Sequence, residues 1–279
     1  MAEHLIGWSS LGMMVASVLG GPIDWLKNTL TFRPNPVVHA LPDAYDLPYE
    51  EVWFGGPDQR ALHGWYFPQL EPNAGSPKIL FIWFHGNAGN IAHRLSHLKL
   101  LYEKVGGSHF LFDYRGYGRS RGKPTIPGVL ADAREAITLA WSRGWATGRQ
   151  VVYFGESLGC AVIVSVATER PPDRVILSAP FYSLRAMGQL QLPALAFLVD
   201  GDFNSARLIG QLPAPLLIIH GTADPTVPFQ QGKDLYALAP QPKTFHAVDD
   251  GGHVDLHEVG GETYLRVIQD FLLKPAASR

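Results

Sequence analysis

Six short apolar runs recur along the chain: Ile79–Phe84, Phe110–Phe112, Val151–Phe154, Val175–Leu177, Leu216–Ile219 and Thr244–Val248. Each is too short for a helix. The stretches between them carry helical spacing, over Ile91–Lys104, Gly128–Arg143, Leu158–Arg170, Gln230–Leu238 and Glu262–Leu273. Near-continuous apolar strands alternating with helices predict an α/β fold, a mostly parallel sheet covered by helices on both faces. Two earlier runs, Glu50–Phe54 and Ala61–Phe67, flank Gly55-Gly56-Pro57-Asp58 and read as an N-terminal antiparallel hairpin. That makes about eight strands in all. Residues 33–48 are Pro-rich and read as an extended connector. One long interruption, about residues 184–212, falls where a single crossover helix would suffice, and predicts a small lid.

The first thirty residues stand apart. Leu5 to Leu19 carry no charge, the uncharged stretch continues to Ile23, and Trp8, Leu11, Val15 and Val18 share one helical face. No Lys or Arg precedes this run, as a secretory signal would need, and the first basic residues are Lys27 and Arg33. Three readings stay open: membrane contact through residues 5–23, a helix docked on its own domain, or a cleaved signal. Cations after a spanning segment would leave the rest of the chain cytoplasmic. The chain thus divides into an apolar segment, residues 1–30, and one domain, residues 31–279. The expected location is cytoplasmic, with membrane association through the N-terminus as an open alternative.

Composition narrows the function. Hydrophobic residues make up 46% and charged residues 17%, enough apolar material for a large core. The formal charge of −2 leaves no basic excess for a phosphate backbone, so nucleic acid is not an expected partner. A lone cysteine, Cys160, excludes an intrachain disulfide and a cysteine-based zinc cluster.

The chemistry is suggested by Gly155-Glu156-Ser157-Leu158-Gly159, which follows one predicted strand and opens a helix. Such a G-x-S-x-G turn is so sharp that larger side chains two residues either side of the serine would collide. A serine hydroxyl needs a base. Of the eleven histidines, most sit in surface-like contexts, His93 and His97 among them. His253 instead lies in a glycine-rich loop after the last strand, with His257 a weaker rival. Asp224, on the loop after Leu216–Ile219, is positioned to orient that histidine. The order Ser157, Asp224, His253 is the one expected for a nucleophile elbow in an α/β sheet. For the oxyanion, the backbone N–H of Leu158 is one donor. The loop His85-Gly86-Asn87-Ala88-Gly89-Asn90 supplies the second through Asn87, with Ala88 as the fallback. That loop lacks both G-x-G-x-x-G and a Lys-Ser/Thr ending, so it is not read as a phosphate cradle.

From about Glu50 to Leu273 the chain resembles the α/β-hydrolase superfamily, through FHGNAGN, DYRGYGRS, GESLG, HGTADPTVP and GGH. It is most similar to the small-lidded branch of abhydrolase-domain acyl-protein thioesterases and bacterial serine aminopeptidase-like hydrolases. Several of these carry an N-terminal membrane anchor. The resemblance implies that the Asp113–Gly118 turn is structural, and Glu156 is read as structural too. The expected activity is ester or thioester hydrolysis of a small-molecule or acylated substrate through an acyl-enzyme, with no metal and no cofactor. Two alternatives are kept: a peptidase using the same triad, and a silent binding protein. Apolar lid residues, Leu195 and Phe197 first, are expected to line an acyl pocket together with Ala88.

Overall fold

The computed structural model describes residues 21, 24–55, 61–69, 78–199 and 201–274. A helix α1 covers residues 24–31 and leads into strands β1 (Arg33–Pro34), β2 (Glu50–Gly55), β3 (Ala61–Phe67), β4 (Ile79–Phe84) and β5 (Ala88–Gly89). Then come α2 (Leu95–Lys104), β6 (Ser108–Asp113), α3 (Ile126–Ser142), β7 (Gln150–Glu156), α4 (Leu158–Val166) and β8 (Arg174–Ser178). The lid region holds α5 (Leu184–Gln191) and α6 (Ser205–Leu208) with two short 3-10 helices, Pro193–Val199 and Ile209–Gln211. β9 (Leu216–Gly221), α7 (Phe229–Leu238), β10 (Lys243–Val248) and α8 (Leu256–Leu273) close the fold.

Eight strands form one sheet in the order β10-β9-β8-β7-β4-β6-β3-β2. β3 runs antiparallel to both its neighbours, and the other pairings are parallel. The fold is therefore the expected doubly covered α/β sheet with its antiparallel hairpin, β2–β3. The tip of that hairpin, residues 56–60, lies outside the described residues.

Strand pleating explains the continuous apolar runs. In β4, Leu80, Ile82 and Phe84 join one core cluster, while Ile79, Phe81 and Trp83 join the other. β7 divides the same way, Val151 and Tyr153 against Val152 and Phe154. One face packs on Ala133, Ala136 and Ile137 of α3 and on α4. The other packs on Leu95, Leu98 and Leu101 of α2 and on Leu265, Ile268 and Leu272 of α8.

Several ends differ from the sequence reading, each for a local reason. The first predicted helix opens as a 3-10 turn, Ile91–Arg94, because the Asn90 side chain accepts from Ala92 N and its own N–H donates to the His93 ring. α8 starts at Leu256, ahead of the predicted Glu262, and bends at Gly261 (φ 49°, ψ −133°). The Pro-rich connector is not merely extended: β1 pairs in parallel with β5, Arg33 opposite Ala88.

The apolar run expected to contact a membrane, dock or be cleaved lies, apart from Gly21, outside the described residues. Among the described residues no helix is long and apolar enough to cross a membrane. α1 meets the lid region through Lys27 Nζ and Asp202 Oδ2 at 2.5 Å, and Phe32 just after it is buried.

The Asp113–Gly118 turn is pinned to α3 by a fork. Arg115 donates from Nε (2.9 Å) and Nη2 (2.7 Å) to the fully buried Asp132 carboxylate, which also accepts from Arg115 N at 2.8 Å. Removing one member of a buried pair strands the other charge. Asp132→Ala should cost about 3–5 kcal/mol of unfolding free energy, measured by urea denaturation. A loss within about 0.5 kcal/mol would show that the pair does not hold the turn.

Candidate active site

β7 delivers Ser157 to the carboxyl edge of the sheet, and α4 begins one residue later. Ser157 has φ 49° and ψ −108°, a left-handed-side conformation that a non-glycine residue adopts only under constraint. Its N–H is held by Ser178 O at 2.9 Å. Gly159 is a steric necessity, since a β-carbon there would lie 1.8 Å from the Phe84 carbonyl oxygen. The strand-to-helix turn can close only where α4 touches the backbone of β4. Leu158, the first residue of α4, has an N–H with no intrahelical acceptor.

Asp224 and His253 come from the loops after β9 and β10. These loops are laced together: Ala223 N donates to Gly251 O at 3.0 Å, and Asp250 N to Thr222 Oγ1 at 3.0 Å. Gly221 permits the approach, because a β-carbon on it would meet Gly251 O at 2.2 Å. The result is a contact of 2.7 Å between His253 Nδ1 and Asp224 Oδ2. An ionised carboxylate only accepts, so Nδ1–H donates, the tautomer that in a neutral ring leaves Nε2 as the acceptor. Asp224 Oδ1 accepts from the N–H groups of Thr226 and Val227, each at 2.8 Å. The buried His220 ring adds Nε2 at 3.4 Å from Oδ2. Burial alone would raise the Asp224 pKa, but the His220 and His253 hydrogen bonds and the backbone donor of Val227 outweigh it. The carboxyl is held well below the usual range.

Ser157, Leu158 and His253 open on one cavity of about 1110 Å³, and Asn87 and Ala88 line it too. Its apolar wall includes Leu30 before β1, Leu184 and Met187 of α5, and Leu195 and Val199 of the 3-10 helix. Phe197 does not line it and is 65% exposed. With three residues per 3-10 turn, Ala196 and Val199 share the buried side and Phe197 falls on another. The expectation of Phe197 in the pocket is corrected on that ground, whereas Leu195 is among the cavity-lining residues.

Asn87 has a side-chain role that the sequence did not suggest. Its Oδ1 accepts from Arg33 N (3.0 Å) and from Tyr117 OH (2.8 Å), and its Nδ2 donates to Thr31 O at 2.6 Å. The loop is thus tied to the chain preceding β2, leaving the Asn87 backbone N–H as the candidate donor.

A polar network missed in the sequence lies beside the elbow. Glu156 takes Arg94 Nε at 3.0 Å and His97 Nδ1 at 3.1 Å, and the His97 Nε2 meets Tyr264 OH at 2.9 Å. His97, expected in a surface-like context, is buried. The signal was present: positions 94, 97 and 101 recur at helical spacing on the stripe that buries Leu101. Burial pushes the Glu156 carboxyl up, but Arg94 and His97 outweigh it and bring it to about 2. His257 stacks on His97 with ring centres 4.1 Å apart. Burial first, then the neighbouring His97, lower its pKa to about 4, so it is neutral near pH 7. Asp224 is hydrogen-bonded to His253, which separates it from this rival. Cys160 is buried, and burial pushes its thiol well up, so it stays protonated. Among the described residues no group of three or more His, Cys, Asp or Glu is arranged to hold a metal.

Comparison with known proteins places the chain in a family. Residues 75–201 match the family model described as "Serine aminopeptidase, S33". An uncharacterized protein of Mycobacterium tuberculosis is 37% identical over 273 residues, covering 94% of each chain. The "Alpha/beta hydrolase domain-containing protein WAV2" of Arabidopsis thaliana is 34% identical, covering 88% of this chain and 87% of that one. Among solved structures, an esterase of Pyrococcus furiosus superposes with a TM-score of 0.70 at 20% identity, over 87% of this chain and 97% of that chain. The chain belongs to the α/β-hydrolase superfamily and is a hydrolase by that membership.

The depressed pKa of Glu156 has a stability consequence. A carboxyl lowered from 4.5 to about 2 contributes stability that is present above its ordinary pKa and lost as pH falls through the folded value. The stability gap between wild type and Glu156→Gln should be constant above about pH 5 and shrink towards pH 2. Chemical denaturation across that range measures it, and a gap independent of pH would contradict the ion-pair network.

Proposed function

We propose that the protein is a serine hydrolase that cleaves a carboxylic ester or thioester through an acyl-enzyme. The observation that carries this reading is the 2.7 Å contact of His253 Nδ1 with the buried Asp224, beside a strained Ser157 on the same cavity. Ser157 Oγ attacks the carbonyl carbon, and His253 Nε2 accepts the hydroxyl proton. Asp224 fixes the imidazole tautomer and stabilises its protonated form. The N–H groups of Leu158 and Asn87 receive the oxyanion. Collapse of the intermediate breaks the bond to the alcohol or thiol, which takes the proton from His253. Water, deprotonated by the same ring, then releases the acid.

The cavity chemistry favours an ester or thioester over an aminopeptidase substrate. An aminopeptidase must hold a substrate ammonium, usually with a carboxylate. Among the cavity-lining residues the one carboxylate is Glu156, and Arg94 and His97 already occupy its oxygens. The mixed apolar wall suits an acyl chain.

Ser157→Ala, His253→Ala and Asp224→Asn should each lower kcat on p-nitrophenyl butyrate on the order of 10³-fold or more, without adding in combination. His257→Ala should retain most activity. The reverse pattern between the two histidines would displace His253 as the base.

The lid wall sets a second expectation. Leu195→Gln should lower kcat/KM for p-nitrophenyl octanoate on the order of 10-fold more than for the acetate. Equal losses on both esters would mean that Leu195 supports the lid without contacting the acyl chain.

A further inference from the structure

The loop His85–Asn90 must hold an N–H about 2.7–3.1 Å from an oxyanion. Yet Gly86, Ala88 and Gly89 offer almost no side chain to pack. On its outer side the loop is tied through Asn87. Beside it lies one partly buried cation, Arg94, whose side chain is 13% exposed. Arg94 Nη1 donates to the Ala88 carbonyl at 3.0 Å. Its Nε donates to Glu156 Oε2 at 3.0 Å. Glu156 directly precedes the nucleophile, so one planar group bonds the two halves of the site. The point where a β-carbon on Gly86 would sit is 3.1 Å from Arg94 Nη2 and 3.6 Å from Ser157 Cβ. The missing side chain of Gly86 therefore leaves a small space that both the guanidinium and the nucleophile's side chain border.

We propose that Arg94 is a positioning residue for acyl transfer: its guanidinium clamps the oxyanion loop to the nucleophile elbow through Ala88 O and Glu156. This rests on the serine-hydrolase reading above. The rigid fork of the guanidinium sets the spacing between loop and elbow, which a flexible ammonium cannot reproduce. His97, bonded to Glu156 and to Tyr264 of α8, braces the acidic end. Anchoring the Ala88 carbonyl also fixes the following peptide plane, restricting how the small-residue loop can rotate. A surface ion pair alone would supply little of this, but the arm to Glu156 is partly buried and the guanidinium spends its donors on both elements.

The test uses Arg94→Gln, Arg94→Lys and Glu156→Gln in the full chain, with p-nitrophenyl butyrate as substrate and an alkyl trifluoromethyl ketone as inhibitor. The ketone forms a hemiketal oxyanion with the serine, so its binding reads the loop donors. Arg94→Gln should lower kcat on the order of 10- to 100-fold, less than the loss of an oxyanion donor itself. KM should move by less than about twofold, because ground-state binding does not use the oxyanion donors. The ketone Ki should rise by the factor that kcat/KM falls. Arg94→Lys, keeping charge without the fork, should not restore kcat. If Arg94→Gln does not fold, Glu156→Gln should give the same split. Unchanged kcat, an unchanged ketone Ki, or full recovery in Arg94→Lys would overturn the proposal. If wild type shows no turnover that Ser157→Ala abolishes, the serine-hydrolase reading fails and takes this one with it. Ser157-dependent turnover unaffected in both Arg94→Gln and Glu156→Gln sinks the clamp alone.

Discussion

The site depends on a backbone held where it would not rest on its own. Ser157 sits at φ 49° and ψ −108°, a conformation that costs on the order of 1–3 kcal/mol and persists only when surrounding packing enforces it. That enforcement comes from the centre of the sheet. β4 and β7 pair along their whole length, Ile79 opposite Gln150 through Phe84 opposite Gly155. α4 then presses Gly159 onto the Phe84 backbone, leaving no relaxed path from strand to helix. The serine is projected above the sheet as a consequence of core packing, and the other site loops are arranged around it.

Those loops are positioned by polar contacts, because their small residues cannot pack. The loops carrying Asp224 and His253 exchange backbone hydrogen bonds and converge on one buried carboxylate. The loop after β4 is held by Asn87 on one side and Arg94 on the other. The Asn87 tie and the Asp224–His253 contact cross between elements far apart in sequence, so that geometry exists only once the sheet and its helices have assembled.

What could be read from the sequence follows from this division. Strands buried on both faces leave continuous apolar runs, and β4 and β3 fall on Ile79–Phe84 and Ala61–Phe67 as read. Ser157, Asp224 and His253 were legible because each follows a strand and has glycine beside it or small loop residues around it. Arg94 and His97 were hidden because polar residues at the start of a helix normally face water. The β1–β5 pair was hidden because two residues in a Pro-rich stretch carry no period, and the partner that fixes them is the side chain of Asn87. Phe197 was misjudged because hydrophobicity alone does not distinguish a 3-10 helix, whose buried side recurs every third residue.

The most direct test of the proposed chemistry is to label the full chain with a fluorophosphonate and map the adduct by peptide mass spectrometry. A nucleophile activated by His253 and Asp224 should take one phosphonyl group, on Ser157, and the reaction should be strongly slowed in His253→Ala. No adduct on the folded protein, or an adduct on another residue, would contradict the account.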